Sequence, residues 1–228
     1  MNPKIIAFDA DDTLFVNEPY FQEVEQKFCV LMQDYLSHHG LSQELFKTEI
    51  ANLPIYGYGI KGYILSMIEA AMTISNNTIS LLVIEKIIQY GKELLEKPIE
   101  VLDGVEATLK TLQGKYKLVV ATKGDLKDQQ SKLQRSGLSH YFHHIEVMSD
   151  KQEINYQSLL ARLEIQPKDF LMIGNSLKSD ILPVLAIGGT AVYIPFHTTW
   201  AHEKIDYQVT HDNFYECKNV SEVLELVQ

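Results

Sequence analysis

Short, unbroken apolar runs separated by helix-patterned stretches constrain this chain more than any other feature. The runs are Lys4 to Phe8, Leu118 to Ala121, Phe170 to Ile173 and Thr190 to Ile194, with a weaker one at His144 to Met148. Continuous apolar character over four or five residues suits a strand buried on both faces. Between the runs, Val105, Leu109 and Leu112 fall at helical spacing and are closed by Gly114, and Leu159, Leu160 and Leu163 mark another helix. Strands alternating with helices predict right-handed crossovers and a mostly parallel sheet, hence an α/β fold. Such sheets bind ligands beyond the carboxyl ends of their strands. Asp9, Thr122 and Asn175 all fall there.

The alternation fails between about Val16 and Pro98, which reads as helical throughout. Phe21, Val24, Phe28, Leu31, Tyr35 and Leu36 follow steps of three and four, from just after Pro19 to Gly40, and predict one amphipathic helix. Ser42 precedes a second, short helix. Ile60, Tyr63, Ile64, Met67, Ile68 and Ala71 predict a third, and Thr78 to Leu95 a fourth that Pro98 ends. The division expected is residues 1–16 and 98–228 for the sheet-bearing core and 17–97 for a helical insertion.

The exit of the first run reads Phe8-Asp9-Ala10-Asp11-Asp12-Thr13-Leu14. Like charges about 4 Å apart repel by roughly 4 kcal/mol at an effective dielectric of 20, so Asp9 and Asp11, if they converge, call for a cation beside them. An acidic turn in which Asp12 and Thr13 cap the next segment is the other reading of such a stretch. Mg²⁺ prefers oxygen donors and is commonly held by one or two carboxylates plus substrate phosphate. Carboxylates, a hydroxyl and an ammonium together favour phosphoryl transfer over redox or thiol chemistry.

Composition narrows the partners. The net charge is −10 with no block of Lys or Arg, which argues against nucleic-acid binding through phosphate neutralisation. No stretch of 18 apolar residues is present, so no membrane span is expected, and the start of the chain lacks the apolar segment of a secretory signal. Cys29 and Cys217, without metal-ligand spacing, suit a reducing compartment and a cytoplasmic location. The oligomeric state and the pathway are not readable.

The acidic run resembles motif I, D-x-D-x-[TV], of the haloacid dehalogenase-like hydrolase superfamily. The other motifs follow in order: Thr122 ending Val119-Val120-Ala121-Thr122, Lys151 in Ser149-Asp150-Lys151, and Gly174-Asn175-Ser176-Leu177-Lys178-Ser179-Asp180 after Leu171-Met172-Ile173. The resemblance implies a Rossmann-like parallel-sheet core with an inserted all-helical cap that restricts access. It implies Mg²⁺-dependent hydrolysis of a small phosphorylated metabolite, a phosphate monoester, with Asp9 as the nucleophile that forms an aspartyl-phosphate. Asp11 would be general acid and base and would offer its backbone carbonyl to the metal. Thr122 would hydrogen-bond the transferring phosphoryl group, and Lys151 would balance its charge and steady Asp9. Dehalogenase members lack the second aspartate of motif I, so Asp11 points to the phosphatase branch. A phosphomutase of the same superfamily and a noncatalytic phospholigand-binding protein are the alternatives.

Two positions depart from the family pattern. Asn175 stands where Asp is commonest, so the expected metal set is Asp9, Asp11, Asn175 and Asp180, with Asp180 supplying more of the charge. Lys123 follows Thr122 where Asn is frequent, and either helps bind phosphate or stays in water. Asp12 reads as a turn residue. The glycine-aromatic stretch around Tyr56 to Lys61 either selects substrate or simply joins two helices, and the His197 to His202 loop either approaches the leaving group or packs.

Overall fold

In the computed structural model, which describes residues 1 and 3–227, the chain divides into two compact units, Met1–Glu18 with Ile99–Gln228, and Pro19–Pro98. The elements run β1 (Ile5–Phe8), α1 (Glu18–Leu31), α2 (His38–Tyr56), α3 (Ile60–Ile74), α4 (Leu81–Glu96), α5 (Val105–Leu112) and β2 (Lys117–Lys123). They continue with α6 (Leu126–Arg135), β3 (His144–Met148), α7 (Glu153–Arg162), β4 (Phe170–Gly174), α8 (Leu182–Ala186), β5 (Thr190–Tyr193), β6 (Phe214–Glu216) and α9 (Val223–Leu226).

The first unit is built on a sheet of order β3-β2-β1-β4-β5-β6 in which every neighbouring pair is parallel. Side chains alternate across it. Ile6, Phe8, Leu118, Val120, Leu171 and Ile173 join Val105, Leu109 and Val223 in one buried cluster. Ile5, Ala7, Val119, Ala121, Phe170 and Met172 join Tyr156, Leu159 and Val184 in another. Both faces are covered, which is why the strands read as unbroken apolar runs. From β1 the chain passes to β2 on one side and later to β4 on the other, so the order switches at β1. The crevice outside the strand ends at such a switch is where doubly wound sheets bind ligands. β6 was not among the predicted strands, because three residues on a sheet edge are too short to make an apolar run.

In the second unit, Val24, Phe28, Leu41, Leu45, Tyr63, Met67, Ile87 and Leu94 of α1 to α4 form one apolar core. The first helix is shorter than its pattern predicts. It ends at Leu31, and Tyr35 and Leu36 lie outside it, exposed. The cause is Ser37, whose extended backbone and side chain, accepting from Gly40 N, cap α2. That helix starts four residues before Ser42, carries Gly40 in its first turn, and runs through Pro54. α3 and α4 approach closely at Gly91, where an added methyl would stand 1.9 Å from Ile64 Cδ1. The glycine-aromatic stretch joins helices: Gly57 and Gly59 have φ of 73° and 116°, and Tyr56 donates its hydroxyl to Glu69 Oε1 at 2.6 Å.

Both cysteines are free and buried. Among the described residues no helix is long and apolar enough to cross a membrane.

Candidate active site

Asp9 is the first residue beyond β1, and its amide donates to Ile173 O at 2.9 Å, which ties it to the end of β4. It is buried, as are Lys151 and Asp180. Lys151 Nζ donates to Asp9 Oδ1 at 2.5 Å and to Asp180 Oδ1 at 2.6 Å, so two carboxylates share one ammonium. Burial pushes the Asp9 carboxyl up to about 7, with Lys151 opposing and Asp180 and Asp11 reinforcing the rise. For Lys151 burial acts against the charge, but Asp180 and Asp9 outweigh it and raise the group above the ordinary lysine value. Two carboxylates therefore compete for one ammonium.

Asp180 is the second carboxylate on Lys151. Its second oxygen accepts from Ser176 N at 2.9 Å, so both oxygens are engaged, one by Lys151 and one by the main chain. In this arrangement it braces Lys151 and the turn after β4. The turn is a single wide π-type turn, Leu177–Ile181, capped by Ser176 Oγ on Ser179 N at 3.0 Å. Gly174 makes room for it, since a Cβ there would meet Asp180 Oδ2 at 2.3 Å.

Asn175 points the other way. One terminal atom of its amide lies 3.1 Å from the Asp11 main-chain oxygen, 3.2 Å from Thr13 Oγ1 and 3.3 Å from Asp9 Oδ2. With nitrogen there, the amide donates to these acceptors. With oxygen there, four oxygens converge, the donor set a hard cation takes. Among the described residues no three His, Cys, Asp or Glu side chains form a metal-holding group. This corner instead offers one carboxylate, a main-chain carbonyl, an amide and a hydroxyl.

The Asp11 side chain turns to α6. Lys132 Nζ donates to its Oδ1 at 2.5 Å and Gln129 Nε2 to its Oδ2 at 2.7 Å. Asp12 is a turn residue with φ 59°, and its carboxylate accepts from the amides of Asn17 and Glu18 at the start of α1. Burial pushes it up to about 7 against those two hydrogen bonds.

Thr122 is buried as the penultimate residue of β2 and donates its hydroxyl to Lys123 O at 3.3 Å. Lys123 is largely shielded from water: Nζ donates to Glu203 Oε1 at 2.6 Å and to Ser179 Oγ at 2.9 Å. Glu203 also accepts from Ser176 Oγ, and from Ser179 Oγ at 2.5 Å. Burial alone would raise the Glu203 carboxyl, but Lys123 and the two hydroxyls outweigh it and hold it down to about 2. His202, lowered by burial and by Lys178, accepts at its carbonyl from Lys178 Nζ at 2.7 Å. The loop after β5 therefore packs against the turn after β4.

Gln129, Lys132 and Glu203 were missed by sequence reasoning. The first two sit three residues apart on the helix that follows Thr122, a spacing that puts them on one face. That signal was available. Glu203 carried none, because its partners are distant in sequence.

The haloacid dehalogenase-like hydrolase family model matches residues 3–188. Among solved structures, a haloacid dehalogenase-like family hydrolase from Xanthomonas campestris is 36% identical, with 96% of this chain and 88% of that one covered and a TM-score of 0.87. A putative HAD-hydrolase from Bacillus subtilis bound to magnesium is 18% identical, with 100% and 99% covered and a TM-score of 0.68. A predicted phosphoglycolate phosphatase from Haemophilus somnus is 17% identical, with 100% and 99% covered and a TM-score of 0.65. Haloacid dehalogenases share the fold as well. No curated protein matches the chain. With four motifs in order on a switched parallel sheet and the family model spanning most of its length, the chain belongs to the haloacid dehalogenase-like hydrolase family.

Proposed function

We propose that this protein is a phosphatase that hydrolyses small phosphate monoesters with Mg²⁺, through an aspartyl-phosphate on Asp9. The observation that carries the reading is the split of the two motif aspartates between different partners. Asp9 faces Lys151 and the oxygen corner, while the Asp11 carboxylate is held separately by α6. A dehalogenase needs only the first carboxylate, whereas a phosphatase needs a second that can move a proton.

Asp9 Oδ2, the Asp11 carbonyl, the Asn175 amide oxygen and Thr13 Oγ1 would hold the cation, which supplies positive charge to the phosphoryl oxygens. That leaves Asp9 Oδ1, against Lys151, as the oxygen that bonds to phosphorus while the ester bond breaks. Asp11 gives its proton to the departing alkoxide oxygen. It then takes a proton from the water that attacks phosphorus, and Asp9 and inorganic phosphate are released. Lys151 keeps its charge throughout and offsets that of the transferred group, and Thr122 donates to it from the end of β2. The restriction to small substrates rests on the correspondence of the helical unit, Pro19–Pro98, to the family's cap.

A panel of small phosphate monoesters, including p-nitrophenyl phosphate, tests this. Turnover should require Mg²⁺, vanish with chelator and return on adding the metal. Halide release from a 2-haloacid without metal, and no phosphatase activity, would reverse the assignment.

A further inference from the structure

Helix α6 grips the Asp11 carboxylate from both sides. Lys132 takes Oδ1 and Gln129 takes Oδ2, both from buried positions on one face of the helix. The Gln129 amide has one sensible orientation. Its nitrogen also donates to Lys123 O at 2.7 Å, so turning it over would aim oxygen at two acceptors. Held this way, Gln129 Oε1 is buried without a hydrogen-bond partner. The nitrogen's two bonds, to Asp11 and to Lys123 O, set this orientation. Gly124, at φ 130°, leaves the space, since a Cβ there would meet Gln129 Nε2 at 2.9 Å. Lys132 is fixed too, by Asn17 Oδ1 at 3.1 Å, by Asp128 at 3.9 Å and by the Phe15 ring beneath its ammonium at 5.6 Å.

Two donors on the two oxygens of one carboxylate remove its freedom to swing. A surface anchor needs one such contact, whereas here two buried side chains of one helix converge on the same carboxylate. We propose that Gln129 and Lys132 are positioning residues that hold the Asp11 carboxylate where it exchanges its proton with the leaving group and then with water. This rests on the acid and base role given to Asp11 above. Orientation of this kind is worth up to about 100-fold in rate when it is lost.

The test compares wild type, Asp11→Asn, Lys132→Met, Lys132→Arg and Gln129→Leu with Mg²⁺ and two aryl esters, phenyl phosphate and p-nitrophenyl phosphate. Proton donation matters more to the basic phenoxide than to nitrophenoxide. Lys132→Met and Gln129→Leu should each lower kcat by about 10- to 100-fold. KM and the Mg²⁺ requirement should stay within about twofold of wild type, with the larger loss of kcat/KM on phenyl phosphate. Lys132→Arg, which keeps a donor, should recover part of the rate. Gln129→Leu leaves the ion pair intact and carries the test if Lys132→Met fails to fold. Equal losses of kcat/KM on both esters, which report the step that expels the leaving group, or unchanged kcat in folded Gln129→Leu, overturn the positioning role while leaving the phosphatase reading intact. An inactive wild type, or Asp11→Asn with unimpaired kcat, overturns that reading and this inference with it.

Discussion

Two lysines stand at the carboxyl end of the sheet in opposite electrostatic settings. Lys151 donates to two carboxylates, Asp9 and Asp180, whereas Lys123 donates to Glu203, whose other oxygen accepts from Ser176 and Ser179. In the Lys123 cluster the carboxyl is satisfied by an ammonium and two hydroxyls and is pulled down to about 2. The Lys151 cluster keeps an uncompensated charge, and Asp9 is pushed up to about 7. Burial acts on both carboxylates in the same direction, so the difference comes from the partners. A closed ion pair holds structure, while an incomplete one has an unmet requirement for a cation, a proton or an electrophile. The incomplete one contains the proposed nucleophile.

Replacing a brace in the incomplete cluster gives the largest expected effect. Asp180→Ala removes one partner of a buried ion pair and should cost about 3–5 kcal/mol of stability in thermal or denaturant unfolding. Asn175→Ala should leave stability nearly unchanged and raise the Mg²⁺ requirement more than Asp180→Ala does, because only Asn175 points its amide at the oxygen corner. If Asp180→Ala proves the more damaging to metal binding, the division between brace and ligand fails.

The closed cluster makes a prediction about acid. Glu203 is bound more tightly as a carboxylate in the folded chain than in the unfolded one, its value falling from 4.5 to about 2. Its stabilisation, about 3 kcal/mol, is therefore full above pH 4.5 and lost as pH falls from there toward 2. The stability difference between wild type and Glu203→Gln should shrink across that window and stay constant above it. A difference that persists to pH 2 would mean that Glu203 acts through packing and not through charge.

The same contrast marks what the sequence could convey. Buried parallel strands announce themselves through runs such as Leu118 to Ala121, and Asp9 at the mouth of one is conspicuous because acid there is costly. The identity of its neighbours was legible only as motif order. Asp180 was readable as an acid but not as a brace, because that depends on a wide turn over Gly174. Lys123 could be placed beside Thr122 but not paired, since Glu203 lies 80 residues away. In the helical unit the pattern carried on past Leu31, and only the cap at Ser37 showed where one helix must stop for the next to begin. Periodicity reports which face is buried, and it is silent on where the backbone breaks.

The central claim is that the incomplete cluster holds the reacting carboxylate, and trapping the phosphoryl-enzyme addresses it most directly. Rapid quench of Mg²⁺-loaded protein with a monoester that it hydrolyses, followed by peptide mass spectrometry, should place one labile phosphate on Asp9. Asp9→Asn should yield none and show no turnover. A phosphate mapped to another residue, or sustained turnover by Asp9→Asn, would contradict the account.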